Sequence, residues 1–146
     1  ELHSPDDFIV EEIQADGSIL SIDNPSLKPS GSPGLFTHFV LVKRNVDTFT
    51  VLKILSRKLR IPKGYIFLSG LKDKEALTVQ RGCIFGIAPE ELKNIQLPPS
   101  IRIYSPVREL RRIRIGSHKG NHFRLTLWNV KGDIAAIDLL LHQSNP

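Results

Sequence analysis

Apolar and polar residues alternate through "IRIYSPV" (101–107), "RRIRI" (111–115) and "FRLTLWNV" (123–130). A period of two is the signature of strands with one wetted face. Four further stretches, "DFIVEEI", "LFTHFVLVKR", "YIFLS" and "ALTVQRGCIFGI", are short and rich in β-branched or aromatic residues. They predict more strands, the first closed by a turn at Asp16-Gly17. A chain with this much strand needs a sheet, and a sheet buries its apolar face only against another layer.

The helical signals are few. Asp47 is placed to cap a helix from Thr48 to about Arg60, with Val51, Leu55 and Leu59 on one stripe and Lys53, Arg57, Lys58 and Arg60 off it. Pro62 and Gly64 close it. "APEELKN" reads as one helical turn, and Asp133 as the cap of a last helix carrying Ile134, Ile137 and Leu141. "DNPSLKPSGSPG" (23–34) predicts an irregular, mobile loop, and "GSHKGN" a Gly-bearing turn between the last two strands. Strands and helices do not alternate strictly, so the expected class is α+β: a mixed, largely antiparallel sheet with flanking helices.

At 146 residues the chain is long enough for one compact unit. No apolar run approaches a membrane span and no signal-peptide pattern opens the sequence, which reads as soluble and not membrane-associated. The one cysteine, Cys83, lies in an apolar run and predicts a buried structural thiol rather than a disulfide. With no methionine, Glu1 is not a translation start as written.

The net charge is +5 and the pI about 9.6, but distribution says more than the total. Acids gather in "PDDFIVEEIQAD", whereas Arg102, Arg108, Arg111, Arg112, Arg114, Lys119 and Arg124 face one acid, Glu109, over the same stretch. Arg112, Arg114, Lys119 and Arg124 flank the "GSHKGN" turn with Phe123 just beyond it. That combination suits a nucleic-acid base and its phosphates, and equally a solvated strand face over a core phenylalanine. His118 and His122 stand four apart without a third ligand, so no metal is expected. Neither a GxxxxGK[ST] nor a GxGxxG pattern is present.

The densest charge lies in "GLKDKEALTVQ" (70–80), wedged between two apolar segments. Most such turns are merely solvated. An aspartate between Lys72 and Lys74 at the end of a buried strand is also a setting for a reactive carboxylate.

Four ordered blocks, "PDDFIVEEI" (5–13), "KRNVDT" (43–48), "GLKDKEALTVQRGC" (70–83) and "RRIRIGSHKGNHFRL" (111–125), resemble the TruD family of tRNA pseudouridine synthases. The resemblance covers about Pro5 to Val130. It implies a pseudouridine-synthase-like fold, here half of the catalytic domain, and an RNA-modifying isomerase that flips out a tRNA uridine, at position 13. It implies Asp73 as the essential aspartate, acting either by covalent attack on sugar or base or by proton abstraction from ribose. Phe123 and Asn121, the N-x-F of "GNHF", would line the site with Phe8 of the first block. Lys72 would hold Asp73 ionised or meet phosphate, Gly70 would shape the loop, and Gly120, Arg112, Arg114 and Lys119 complete the expected RNA-facing set. Glu12 matches a recurrent acid, and Ala76, Thr78 and Gln80 would fix the following strand.

The family chemistry implies no cofactor, and tRNA or another structured RNA as the partner of a monomeric enzyme. The expected location is cytoplasmic, or nuclear in a eukaryote. Two departures stand out: Leu2 occupies a position that is usually basic, and the resemblance ends near "LLLHQSNP". The expectation is therefore that residues 1–146 are the N-terminal portion of a larger catalytic domain, without the family's insertion domain and C-terminal half. The rival expectation is a noncatalytic RNA-binding module with the same fold.

Overall fold

A computed structural model describes residues 5–31, 33–69, 76–113, 119–128 and 134–142. Seven strands form one sheet: β1 (Phe8–Ile13), β2 (Phe36–Arg44), β3 (Ile66–Leu68), β4 (Leu77–Phe85), β5 (Ile101–Glu109), β6 (Gly120–Trp128) and β7 (Ile134–His142). Their order is β5-β2-β4-β1-β6-β7, with β3 paired to β4 off this path. Among the described residues only β1 and β4 run parallel; the other pairings are antiparallel. β1 covers Leu77 to Val79 of β4, and β3 covers Gly82 to Ile84 on the same edge. The C-terminal ends of β1 and β3 therefore converge beside Gln80 and Arg81.

Two helices, α1 (Thr48–Leu59) and α2 (Pro89–Asn94), cover one face. Val51 and Leu55 of α1 and Leu92 of α2 pack with Phe39, Leu41, Ile84 and Ile101 from the sheet. Asp47 caps α1 as its sequence position requires, accepting from Thr50 N–H at 2.7 Å. Gly82 sits under this layer, and a Cβ there would lie 2.6 Å from the Phe39 ring, so the strand needs glycine at that point.

The opposite face is covered by loop rather than helix. Leu20 and Leu27 pack on Val40, Val42, Leu77 and Val79, and Leu27 N–H donates to Ser105 Oγ at 3.0 Å. Residues 23–31, 33 and 34 are irregular as expected, yet Leu27 anchors this stretch to the core.

Three local expectations are corrected. The C-terminal segment is not a helix: Ile134–His142 is β7, paired with β6 over nine residue pairs. A continuous antiparallel ladder outweighs the helix propensity that the two Ala and three Leu give "IAAIDLLLH". Arg111, Arg112 and Ile113 lie outside any strand, although "RRIRI" alternates. Gly120 and Asn121 belong to β6 rather than to the turn before it, because Ile13 and Glu12 of β1 pair with them. Cys83 is fully buried, and burial pushes its thiol pKa up, as a packing role requires.

Candidate active site

Directly paired residues share a sheet face and neighbours along a strand alternate. The pairings therefore put Phe8, Val10 and Glu12 of β1 on the same face as Asn121 and Phe123 of β6 and Thr78 and Gln80 of β4. Phe8 and Phe123 are diagonal neighbours, with near-parallel rings whose centroids lie 5.9 Å apart at 13°. Val10 stands opposite Phe123, and Glu12 opposite Asn121. Two strands away, Lys43 of β2 pairs with Thr78 on this face, fully buried, and donates from Nζ to the Val46 carbonyl at 2.9 Å.

Both ends of the charged segment are pinned beside this face. At the front, Ser69 donates its backbone N–H to Arg81 O at 3.0 Å, and its carbonyl accepts from Gln80 Nε2. Its Oγ lies 2.5 Å from Glu12 Oε2 and 2.8 Å from Arg81 O. At the back, fully buried Ala76 accepts from Asn45 N–H at 3.2 Å. Asn45 has φ 53°, a left-handed conformation that asparagine tolerates, and it turns the chain out of β2. Gly70, Lys72 and Asp73 themselves lie outside the described residues, as do Arg114 and His118.

The adjacent acids of β1 have different surroundings because they point to opposite faces. Glu11, fully buried, accepts from Ile22 N–H at 2.7 Å and lies 2.8 Å from His122 Nδ1. Arg124 Nε is 3.1 Å from the same carboxylate but off the hydrogen-bond axis, so that contact is electrostatic. Glu12 has Ser69 and a long 3.4 Å contact from Arg81 N–H. Burial raises its pKa from 4.5 to about 7, against the opposing pull of Ser69, the Arg81 N–H and the Arg81 charge. Beneath Arg81, His38 Nε2 contacts Arg111 O at 2.6 Å, which leaves Nδ1 to accept from Arg81 Nε at 2.9 Å. The His38 ring is thereby neutral, in line with a pKa lowered chiefly by burial.

A family model described as tRNA pseudouridine synthase D (TruD) matches residues 2–143. The chain belongs to the TruD family. It is 33% identical over 129 residues to a probable tRNA pseudouridine synthase D of Methanococcus vannielii, covering 87% of this chain and 33% of that protein. It is 31% identical over 102 residues to the mouse pseudouridylate synthase 7 homolog, covering 69% of this chain and 16% of that one. The crystal structure of a TruD protein from Methanosarcina mazei superposes with a TM-score of 0.72 at 31% identity, over 88% of this chain and 26% of that one. The chain thus spans about a third of the length of the curated relatives first matched.

Of the residues singled out from the TruD blocks, Phe8, Asn121 and Phe123 come together on one face. Gly120 opens β6 against Ile13, and Lys119 is exposed, its N–H donating to Ile13 O at 2.8 Å. Arg112 lies elsewhere: its guanidinium stands 5.3 Å from the Phe67 ring centroid, and Phe67 pairs with Cys83 on the opposite face. Arg124 also lies on that opposite face, with Glu11 and Asp23. Ser69, Lys43 and the pairing of Glu12 with Ser69 were not legible as site features in the sequence. Consecutive acids in an otherwise apolar strand were the available signal, since one of each such pair must face inward.

Proposed function

We propose that this chain is the N-terminal portion of the catalytic domain of a tRNA pseudouridine synthase acting on uridine 13, with Asp73 as its essential carboxylate. The observation that carries this reading is the shared face. Phe8, Phe123 and Asn121 gather beside the strand ends that fix where the Asp73 segment leaves and returns.

A uridine extruded from its stack costs a few kcal/mol, and an aromatic surface next to amide and charged groups offsets part of that. In the isomerisation the N1–C1′ bond breaks and a C5–C1′ bond forms. The C5 proton is released and N1 gains one, so atoms and electrons balance without a redox partner. Asp73 serves either as nucleophile toward sugar or base or as the base that takes a ribose proton. The RNA partner is tRNA, bound by a monomer, with the exposed cations contributing salt-sensitive phosphate contacts.

The test uses the complete protein with Asp73→Asn. Pseudouridine formation, read by carbodiimide-blocked primer extension, should be lost while tRNA binding stays within about threefold of the parent, because the substitution removes one charge and no surface. Undiminished pseudouridine formation would overturn the assignment.

A further inference from the structure

The Ser69 hydroxyl has one proton and two neighbours that ordinarily accept. Glu12 Oε2 lies 2.5 Å from Ser69 Oγ, and Arg81 O lies 2.8 Å from it. A backbone carbonyl has no proton to give. If Glu12 is ionised, only one of these two contacts is a hydrogen bond and the other sets two oxygens against each other. Both are satisfied when the carboxyl itself donates: Glu12 O–H to Ser69 Oγ, and Ser69 O–H to Arg81 O.

The surroundings favour that state. Glu12 is 3% exposed, and no cation contacts its carboxyl among the described residues. On β1, Glu11 turns to the other face. On β6, Asn121 opposite is neutral, and His122 and Arg124 are with Glu11. On β4, Thr78 and Gln80 are neutral, and Arg81, its guanidinium engaged with His38 and Gln14 and its N–H at 3.4 Å from Glu12 Oε2, exerts a pull toward ionisation that burial outweighs. On β2, Lys43 is bound to Val46 O. Burial without a paired charge is what drives a carboxyl to keep its proton.

We propose that Glu12 is protonated in the resting protein and acts as a positioning residue, its O–H holding Ser69 and hence the strand end from which the Asp73 segment departs. Four contacts converge on Ser69: its Oγ with the Glu12 carboxyl and with Arg81 O, its N–H with Arg81 O, and its carbonyl with Gln80 Nε2. Losing the first leaves the Ser69 side chain held by Arg81 O alone. This role rests on the proposed function, since the residue it positions through is Asp73.

The test compares the complete protein with Glu12→Gln, Glu12→Ala and Ser69→Ala variants. Infrared difference spectra between acidic and alkaline samples should show a protonated-carboxyl stretch in the parent that Glu12→Gln lacks; absence of that band overturns the proposal. Glutamine keeps a donor toward Ser69 Oγ, so Glu12→Gln should keep kcat within about threefold while Glu12→Ala and Ser69→Ala lose about tenfold or more, KM for tRNA changing little. The parent's rate should fall as pH rises through about 7, and that limb should vanish in Glu12→Gln. A glutamine variant as impaired as the alanine one, or one that retains the limb, overturns the role. If the complete protein makes no pseudouridine at all, the proposed function fails, whereas the infrared band still decides the state of Glu12.

Discussion

Replacing Glu11 by alanine is the perturbation that best tests how the site face is held, because Glu11 works from the face opposite the site. Its carboxylate is fully buried and contacts Ile22 N–H, His122 Nδ1 and Arg124 Nε at 2.7, 2.8 and 3.1 Å. Hydrogen bonds to a charged group contribute about 1.5–3 kcal/mol each, and removing one member of a buried ionic cluster costs about 3–5 kcal/mol in all. Here the lower end applies. The Arg124 side chain is 34% exposed and still reaches Asp23 Oδ2 at 3.3 Å, so it rehydrates when Glu11 is gone, whereas Ile22 N–H and His122 are left short of a partner.

The expected loss for Glu11→Ala is therefore about 3 kcal/mol, against about 1 kcal/mol for Arg124→Ala, which leaves the carboxylate two donors. Asp23→Ala should change almost nothing, because its side chain is 75% exposed. Native-state hydrogen exchange of β1 and β6 amides reads these values locally, without requiring the whole protein to unfold in one step. Activity should fall in the same order, because β6 carries Asn121 and Phe123 on its other face. A Glu11→Ala protein with β1 and β6 protection within about 0.5 kcal/mol of the parent would refute the idea that the Glu11 contacts hold the two strands.

The remaining predictions concern single contacts. Across the window between pH 4.5 and about 7, native Glu12 holds a proton that the unfolded chain has lost, so its contribution is complete below pH 4.5 and declines as pH rises through the folded pKa. The parent should thus lose about 3 kcal/mol relative to Glu12→Gln over that window, and parallel pH–stability curves would contradict it. Gly82→Ala should destabilise by about 1–3 kcal/mol, since its Cβ would meet the Phe39 ring, and Phe39→Leu in the same chain should recover part of the loss in urea melts. Asp47→Ala should lower α1 protection by about 1 kcal/mol, and Asp47→Ser much less.

Most of the sheet was legible because its signal is local. Period two marks β5 and β6, β-branched and aromatic composition marks β1 and β2, and the capped stripe of Val51 and Leu55 marks α1. β7 was not, since "IAAIDLLLH" has small and branched residues compatible with either period, and only its pairing with β6 decides. The "RRIRI" expectation failed at Arg111 to Ile113 for the converse reason. Alternation there coincides with contacts that need no strand: Arg111 O with His38, and Ile113 N–H with Cys83 Sγ. For the site, local motifs named Phe8, Asn121 and Phe123, but faces are assigned by register. That is why Arg124, next to Phe123 in the sequence, sits behind the sheet rather than beside it.

Register also explains how two identical neighbours acquire opposite chemistry. Side chains alternate with period two, so Glu11 falls among His122, Arg124 and Ile22 N–H, and Glu12 among Asn121, Gln80 and Ser69. A slip of β1 by one residue against β6 would exchange their faces and leave a glutamate on each, but it would carry Phe8 and Val10 to the other face and break the Phe8–Phe123 stack. The aromatic and apolar residues penalise that slip most, because Phe8 and the buried Val10 have their packing partners on one face only. The ionic cluster behind the sheet and the aromatic pair in front of it are thus two consequences of one alignment, and any substitution that loosens the first should disorder the second.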